Sequence, residues 1–366
     1  MGAYDNCIIL IPALQPDERL TQMIHGLHER GFHKIAVMDD GSSDDRQKYF
    51  QEVEIMGVKV IHHSKKMGKG VALRLADEKI GESDFYITAD CDGQYSHGNG
   101  AGLYSRILKI IVPQIKVVHT FHGITNNYSS YFISCIHKII GRSLRYLTNK
   151  FILVSNGEFK LGKSMRFLFT DKSVIIYNAI ADEGLRFNRY DNKLVIISLS
   201  RFDFAKNMDM AYRIAKALRN NHEIEFVWVG DGEDFVRLKQ KSVEEHVNIN
   251  FIGFTEYPMS YLKNADLYLS TSRFEGLPYA LIEAASVGLP IVATDVVGNN
   301  EVVLHDYNGL VFKTEQEAVD AIKKLSINAD LLNRYSINSR ELYLKTFTME
   351  KMISSIVDTY VQVLNQ

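Results

Sequence analysis

Short apolar runs alternate with amphipathic stretches along the whole chain. Near the N-terminus the runs are Cys7 to Ile11, Lys34 to Met38, Val58 to His62 and Phe85 to Ala89. Between the first two, Leu20, Met23, Ile24 and Leu27 recur at helical spacing and predict an amphipathic helix. Lys116 to Thr120 and Phe151 to Val154 continue the series. A second series follows at Leu194 to Leu199, Phe226 to Val229, Ile249 to Ile252, Leu267 to Leu269 and Ile291 to Ala293, with turns at Gly230-Asp231-Gly232 and Asn299-Asn300. Strands that alternate with helices predict parallel βα units, because a parallel neighbour needs a long crossover. The polar stretch Asp182 to Lys193 has no clear periodicity and is the candidate linker. The expected fold is α/β, two Rossmann-like domains facing a cleft. Met349 to Leu364, with Ile353, Ile356, Tyr360 and Val363 at helical spacing, predicts a packed terminal helix.

Composition narrows the classes. The chain has 366 residues, 46% hydrophobic and 23% charged, with 24 Gly and 6 Pro, enough for two domains with substantial cores and against extended disorder. A net charge of -2 gives no electrostatic reason to expect nucleic-acid binding. Cys7, Cys91 and Cys135 are odd in number and lack metal-ligand spacing, as idle thiols in a reducing compartment would. The N-terminus has no basic leader, and no stretch approaches the roughly 18 apolar residues of a membrane span. The expected location is cytoplasmic, with peripheral contact on the inner face of a membrane.

Candidate chemistry concentrates after the second series of strands. The run Ser200 to Asn207 follows a strand directly, at the end of a parallel sheet where ligands bind, and Arg201 and Lys206 bring two cations to one loop. A diphosphate needs such fixed positive charge and N–H donors. The same pair also reads as ordinary surface charge. In the run Ser272 to Glu283, Pro278 suits a helix start and Gly276 allows a ligand close to the backbone. Free N–H groups at that helix start form an anion site. Glu275 falls in the loop before it, and Glu283 about a turn and a half inside. Two carboxylates can each accept hydroxyl hydrogen bonds from a sugar or a ribose; a helix cap with a surface glutamate is the plainer reading.

Taken together, residues 193–310 resemble the C-terminal domain of glycosyltransferase family 4, retaining enzymes of the GT-B fold. The resemblance rests on SRFDFAKN, VGDGE, EGLPYALIEA with its glutamates eight apart, GLPIVATDVVGNNEVV and NGLVF, in the family's order and spacing. It implies that Arg201 and Lys206 grip the donor diphosphate, that Glu275 meets the donor sugar, and that Glu283 meets the ribose. Gly253 and Phe254 match the turn beside the base, Gly276 and Leu277 lie in the donor loop, and Glu301 is a further carry-over. It also implies a UDP- or GDP-linked donor and no metal. Arg201, Lys206 and the helix N-terminus would then stabilise the leaving diphosphate.

Upstream, His97 to Arg106 and Val118 to Gly123 extend the resemblance into the later half of a family 4 N-terminal domain. His122 matches the histidine facing the donor sugar from the opposite domain, where imidazole can donate a hydrogen bond or polarise the reaction centre; a structural histidine at a strand end is the alternative. Lys138, Arg142 and Arg145 share one helical face, opposite Ile136, Ile139, Ile140 and Leu144. Such a helix can lie on an anionic membrane or simply present a solvated face over a core.

Residues 1–96 differ. They resemble the first half of a glycosyltransferase family 2 domain of the GT-A fold, through Ile11 to Leu14, Val37 to Asp44, Gly68 to Leu73 and Asp90 to Gln94. That resemblance implies a nucleotide contact at Asp40 and a Mg²⁺ or Mn²⁺ site at Asp90 and Asp92, since paired carboxylates suit a hard cation. The chain therefore reads as a hybrid joined near Gln94 to His97. Its expected parts are residues 1–96 and 97–185 of an N-terminal domain, a donor-binding domain over 186–348, and a helix over 349–366. A continuous sheet over residues 8–154 is expected.

Three functions stay open. The first is a metal-independent retaining transferase, moving a hexose-type sugar from a nucleotide-diphosphate donor, UDP-linked by preference, to a glycan or lipid-linked acceptor in surface polysaccharide synthesis. The second is a metal-dependent family 2 type transferase using Asp40, Asp90 and Asp92. The third is an inactive nucleotide-sugar-binding partner protein.

Overall fold

The computed structural model describes residues 7–13, 15–29, 31–63, 85–88, 106, 109–110, 113, 116–122, 124, 131–186 and 193–365. The chain divides into two compact units, one of residues 1–153, 162–174 and 356–366, the other of 154–161 and 175–355.

In the first unit, strands β1 (Cys7–Ala13), β2 (Ile35–Asp39), β3 (Lys59–His62) and β4 (Phe85–Thr88) form a sheet in the order β3-β2-β1-β4, with parallel ladders throughout. Helix α1 (Glu18–Glu29) crosses from β1 to β2. Its predicted stripe packs inward: Leu20 and Ile24 are fully buried beside Ile9, Ile11, Val37 and Phe50, with Met23 and Leu27 against them. Helix α2 (Gln47–Ile55) adds Phe50 and Val53 to that core.

Strands β5 (Val118–Phe121), β6 (Lys150–Leu153) and β7 (Ser173–Ile175) form a second sheet. The expected continuous sheet is thus corrected: among the described residues no ladder joins β4 to β5. Strand β5 instead takes β6 as its parallel neighbour, with Val118 opposite Lys150 and Phe121 opposite Leu153. Local pattern marks a strand but not its partner, which tertiary pairing decides. Helix α3 (Tyr131–Leu144) precedes β6, and α4 (Asn156–Met165) follows it. Arg142 Nε donates to Met165 O at 3.1 Å and Arg145 Nη1 to Arg166 O at 3.3 Å. Two of the three basic residues on the α3 face therefore cap the carbonyls that end α4. Ile139 and Ile140 remain exposed.

The second unit holds a six-stranded sheet in the order β10-β9-β8-β11-β12-β13. Its strands are β8 (Leu194–Leu199), β9 (Ile224–Val229), β10 (Ile249–Gly253), β11 (Leu267–Ser270), β12 (Ile291–Thr294) and β13 (Gly309–Phe312). All its ladders are parallel. Alternate residues serve two cores, as a strand's two-residue period requires. Leu194, Ile196, Phe226, Trp228 and Leu269 face one side, while Val195, Ile197, Val227, Val229 and Tyr268 face the other. The order reverses between β8 and β11, which is the switch point where open α/β sheets bind ligands.

Candidate active site

At that switch point β8 and β11 pair only through Ile196 with Leu267 and Ile197 with Tyr268. Beyond that the two strands are bridged by side chains. Ser198 Oγ donates to Leu269 O at 2.9 Å, and Tyr268 Oη donates to Leu199 O at 2.8 Å while accepting from Leu199 N–H at 3.3 Å. Burial pushes the Tyr268 hydroxyl up strongly, and the carboxylates of Glu283 and Glu275 add to the effect. The hydroxyl therefore stays protonated and the opening between the strands stays satisfied. A depression above it is lined by Ser200, Lys206, Thr271, Ser272, Glu275 and Leu281.

The loop after β8 carries the expected cations. Lys206 N–H donates to Asp203 Oδ1 at 3.0 Å, and Thr271 Oγ1 donates to the carbonyls of Lys206 and Asn207, each at 3.1 Å. Asn207 sits in the left-handed region at φ 54°, which asparagine tolerates better than most residues, and helix α5 (Met208–Ala217) starts from it. The neighbouring turn needs glycine. Gly230 has φ 125°, and a Cβ there would lie 1.9 Å from Ser200 O. The amide of Gly230 donates to Gly253 O at 2.8 Å, which fixes the end of β10 with Phe254 exposed beyond it.

Helix α6 (Phe235–Glu244) and α7 (Pro258–Lys263) cover the sheet, and α8 (Tyr279–Ser286) begins directly after the Glu275 loop with Pro278 as N-cap at φ -75°. Asn178 Nδ2 donates to Leu277 O at 2.9 Å and Thr294 Oγ1 to Ser272 O at 2.7 Å, so the loop is held at both ends. Gly298, at φ 88°, backs it: a Cβ there would meet Gly276 O at 2.5 Å. Glu275 lies before α8 and Glu283 inside it, as the spacing predicts.

Three features were not visible in the sequence. Lys206 Nζ stands 2.5 Å from Glu275 Oε1, the side chains being 19% and 12% exposed. Arg201 instead reaches the rim, 72% exposed, and pairs with Asp203 at 3.1 Å. Arg273 ties the two loops: its N–H donates to Ala205 O at 2.8 Å and its guanidinium lies 4.2 Å over the Phe204 ring.

Glu301 lies in the short helix α9 (Asn299–Val302) with its carboxylate taken up. It accepts from Asn156 Nδ2 at 3.0 Å, from Gly157 N–H at 2.9 Å and from Tyr177 Oη at 3.0 Å. Burial and then the Glu301 charge push Tyr177 up to about 12. The carboxylate stands at the N-terminus of α4, where negative charge is favoured. His122 follows β5 in the other unit and is exposed; Gly123 lies outside the described residues.

In the N-terminal sheet, Asp39 and Asp40 end β2. Asp39 accepts from Ser42 N–H at 2.8 Å, from Gln47 Nε2 at 3.1 Å and faces His62 Nδ1 at 2.9 Å. Asp40 faces His63 at 3.7 Å, both side chains nearly closed to solvent. Asp90, Asp92 and the run Gly68 to Leu73 lie outside the described residues.

A parallel sheet with cations, two glutamates and a helix start near its switch point fits a glycosyltransferase of the GT-B kind. Comparison with known proteins names its parts. Residues 185–342 match the family model described as "Glycosyl transferases group 1", and residues 8–157 match "Glycosyl transferase family 2". The chain is a hybrid glycosyltransferase. The family 2 match runs past the junction expected near 94–97 as far as residue 157, so it contains His122. The chain is 25% identical over 291 residues to an Escherichia coli UDP-Gal:alpha-D-GlcNAc-diphosphoundecaprenol alpha-1,3-galactosyltransferase, covering 74% of this chain and 75% of the relative. It is 24% identical over 263 residues to the O-antigen biosynthesis glycosyltransferase WclY of Escherichia coli, covering 67% of this chain and 71% of that one. Among solved structures it resembles Anabaena HepE in complex with UDP and glucose, with TM-score 0.75, 16% identity and coverage of 97% and 99%. Among the described residues no helix is long and apolar enough to cross a membrane.

Proposed function

We propose that the chain transfers a hexose-type sugar from a UDP-linked donor to a glycan or lipid-linked acceptor, with retention and without a metal, in surface polysaccharide synthesis. The observation that carries the reading is the convergence of Lys206, Glu275 and the start of α8 on one depression at the switch point. Lys206 and Arg201 take the diphosphate, Glu275 the sugar and Glu283 the ribose. Gly253 and Phe254 border the base. Gly276 and Leu277 bring backbone close to the donor, and Glu301 shapes the loop from behind. His122 is assigned to the sugar by resemblance. The relatives named for undecaprenol-linked and O-antigen substrates favour a lipid-linked acceptor. Peripheral membrane contact on the cytoplasmic side fits such an acceptor, and the exposed Ile139 and Ile140 are its candidate contacts.

The test is a screen of UDP-sugars against lipid-linked acceptors, with Mg²⁺ and with EDTA. Turnover that survives EDTA, with the anomeric configuration retained, is the expected result. A second reading is favoured by the match of residues 8–157 to family 2: a metal-dependent transfer through Asp40, Asp90 and Asp92. Loss of turnover in EDTA and in Asp92→Ala, with Glu275→Ala active, would select it. UDP binding with no transfer to any acceptor would leave an inactive binding partner instead.

A further inference from the structure

The two groups assigned to opposite ends of the donor hold each other in this structure. Lys206 Nζ and Glu275 Oε1 are 2.5 Å apart and largely out of water, so solvent and salt screen their attraction only weakly. The backbone of Lys206 is pinned from both sides, by Asp203 on its N–H and Thr271 on its carbonyl. A diphosphate that reaches this ammonium contends with Glu275 for its three N–H donors.

Three polar groups near Glu275 are already engaged elsewhere. The Tyr268 hydroxyl gives its proton to Leu199 O. Arg273 is turned onto Phe204 and its carbonyl. Arg201 is at the rim with Asp203. An intact nucleotide sugar replaces both partners at once: the diphosphate takes Lys206 and the sugar hydroxyls donate to Glu275. A free nucleoside diphosphate replaces only one, leaving a carboxylate 12% exposed without its cation. An uncompensated charge in that setting is costly.

We infer that the Lys206–Glu275 pair is an internal competitor that makes this site prefer an intact nucleotide sugar to the nucleoside diphosphate left after transfer. The inference rests on reading this loop as the donor site. Once the sugar has gone, Glu275 returns to Lys206 and weakens the hold on the diphosphate, so the pair favours product release.

Calorimetry with UDP on the wild type, Glu275→Gln, Lys206→Gln and the double variant tests this. Glu275→Gln is expected to bind UDP about tenfold more tightly than the wild type, while losing turnover. In the Lys206→Gln background the same change should shift UDP affinity by less than about twofold, because the cation in contention is gone. Glu275→Ala removes the carboxylate without leaving an amide to bond Lys206, and should tighten UDP likewise. Unchanged or weaker UDP binding in both Glu275 variants overturns the inference. An equal gain in both backgrounds also overturns it, since that is a general field effect and not a pair. A wild type that binds no UDP overturns the donor-site reading itself, and this inference with it.

Discussion

The four-stranded N-terminal sheet and the first four strands of the C-terminal sheet share one order: β3-β2-β1-β4 in one, β10-β9-β8-β11 in the other. Each puts its first strand at a switch point, yet the charged groups at the described strand ends differ in sign. After β8 come Arg201 and Lys206, and the α8 start adds the positive end of a helix, all suited to a diphosphate. At the ends of β2 and β3 stand Asp39, Asp40, His62 and His63, with Asp39 already saturated by Ser42, Gln47 and His62. An anion meets carboxylates there unless a cation intervenes. Shared topology thus places two candidate sites that differ in the charge their side chains present.

The widest separation between the halves should appear in turnover. Glu275→Ala is expected to lower transfer by about a hundredfold or more, as loss of a group acting on the reacting sugar does. Asp40→Asn should change it by less than about twofold, because the metal-independent reading gives Asp40 no part in transfer. Steady-state kinetics on both variants breaks the comparison if the order is reversed. Lys206→Ala should fall between them, raising donor KM and lowering kcat, because it removes a diphosphate contact that strengthens as charge develops on the leaving group.

A smaller effect separates the halves in stability. Gly230→Ala places a Cβ 1.9 Å from Ser200 O at a φ of 125°, a region that side chains rarely adopt. The expected cost is about 2–4 kcal/mol, or a melting temperature lower by about 5–10 °C. At Gly57, also at positive φ, a Cβ would meet nothing within 4 Å, so Gly57→Ala in the N-terminal unit carries only the backbone strain, about 1 kcal/mol. Equal losses at the two glycines would show that the Gly230 turn yields to the added methyl.

Much of this was legible in the sequence. Short apolar runs located β8 to β12 within a residue or two, because β8, β9, β11 and β12 are mostly buried and the runs are bounded by turns, while the edge strand β10 is only partly buried. Arg201 and Lys206 stood out as two cations in the loop directly after a strand, and Glu275 and Glu283 as carboxylates before and inside one helix start. Tyr268 did not: within an apolar run it reads as core, and its hydroxyl matters only because β8 and β11 separate beyond Ile197. The Lys206–Glu275 contact joins residues 69 apart in the chain, which no local pattern encodes. Glu301 read as a donor group, while its carboxylate holds Asn156, Gly157 and Tyr177. The short strand β7 and the break between β4 and β5 were equally invisible, since both depend on which edge accepts which strand.

The smallest expected effect is in acid stability, and the one tryptophan makes it local. Burial works to raise the Asp39 carboxyl, but the bonds from His62, Ser42 and Gln47 outweigh it and hold the group below the usual carboxylate range. A depressed folded value means that the unfolded chain binds more protons in that window. The resulting stability is therefore complete above the unfolded value of about 4 and is lost as pH falls through the folded value. Asp39→Asn should flatten this acid limb, leaving a melting temperature less sensitive to pH below about 4. Trp228 is fully buried in the C-terminal unit, so its fluorescence reports that core alone, whereas far-ultraviolet dichroism reports both. The substitution should move the dichroism transition and leave the Trp228 transition in place. Were both to move together, the two units would unfold as one, and the N-terminal sheet would owe its acid stability to the whole chain rather than to the bonds around Asp39.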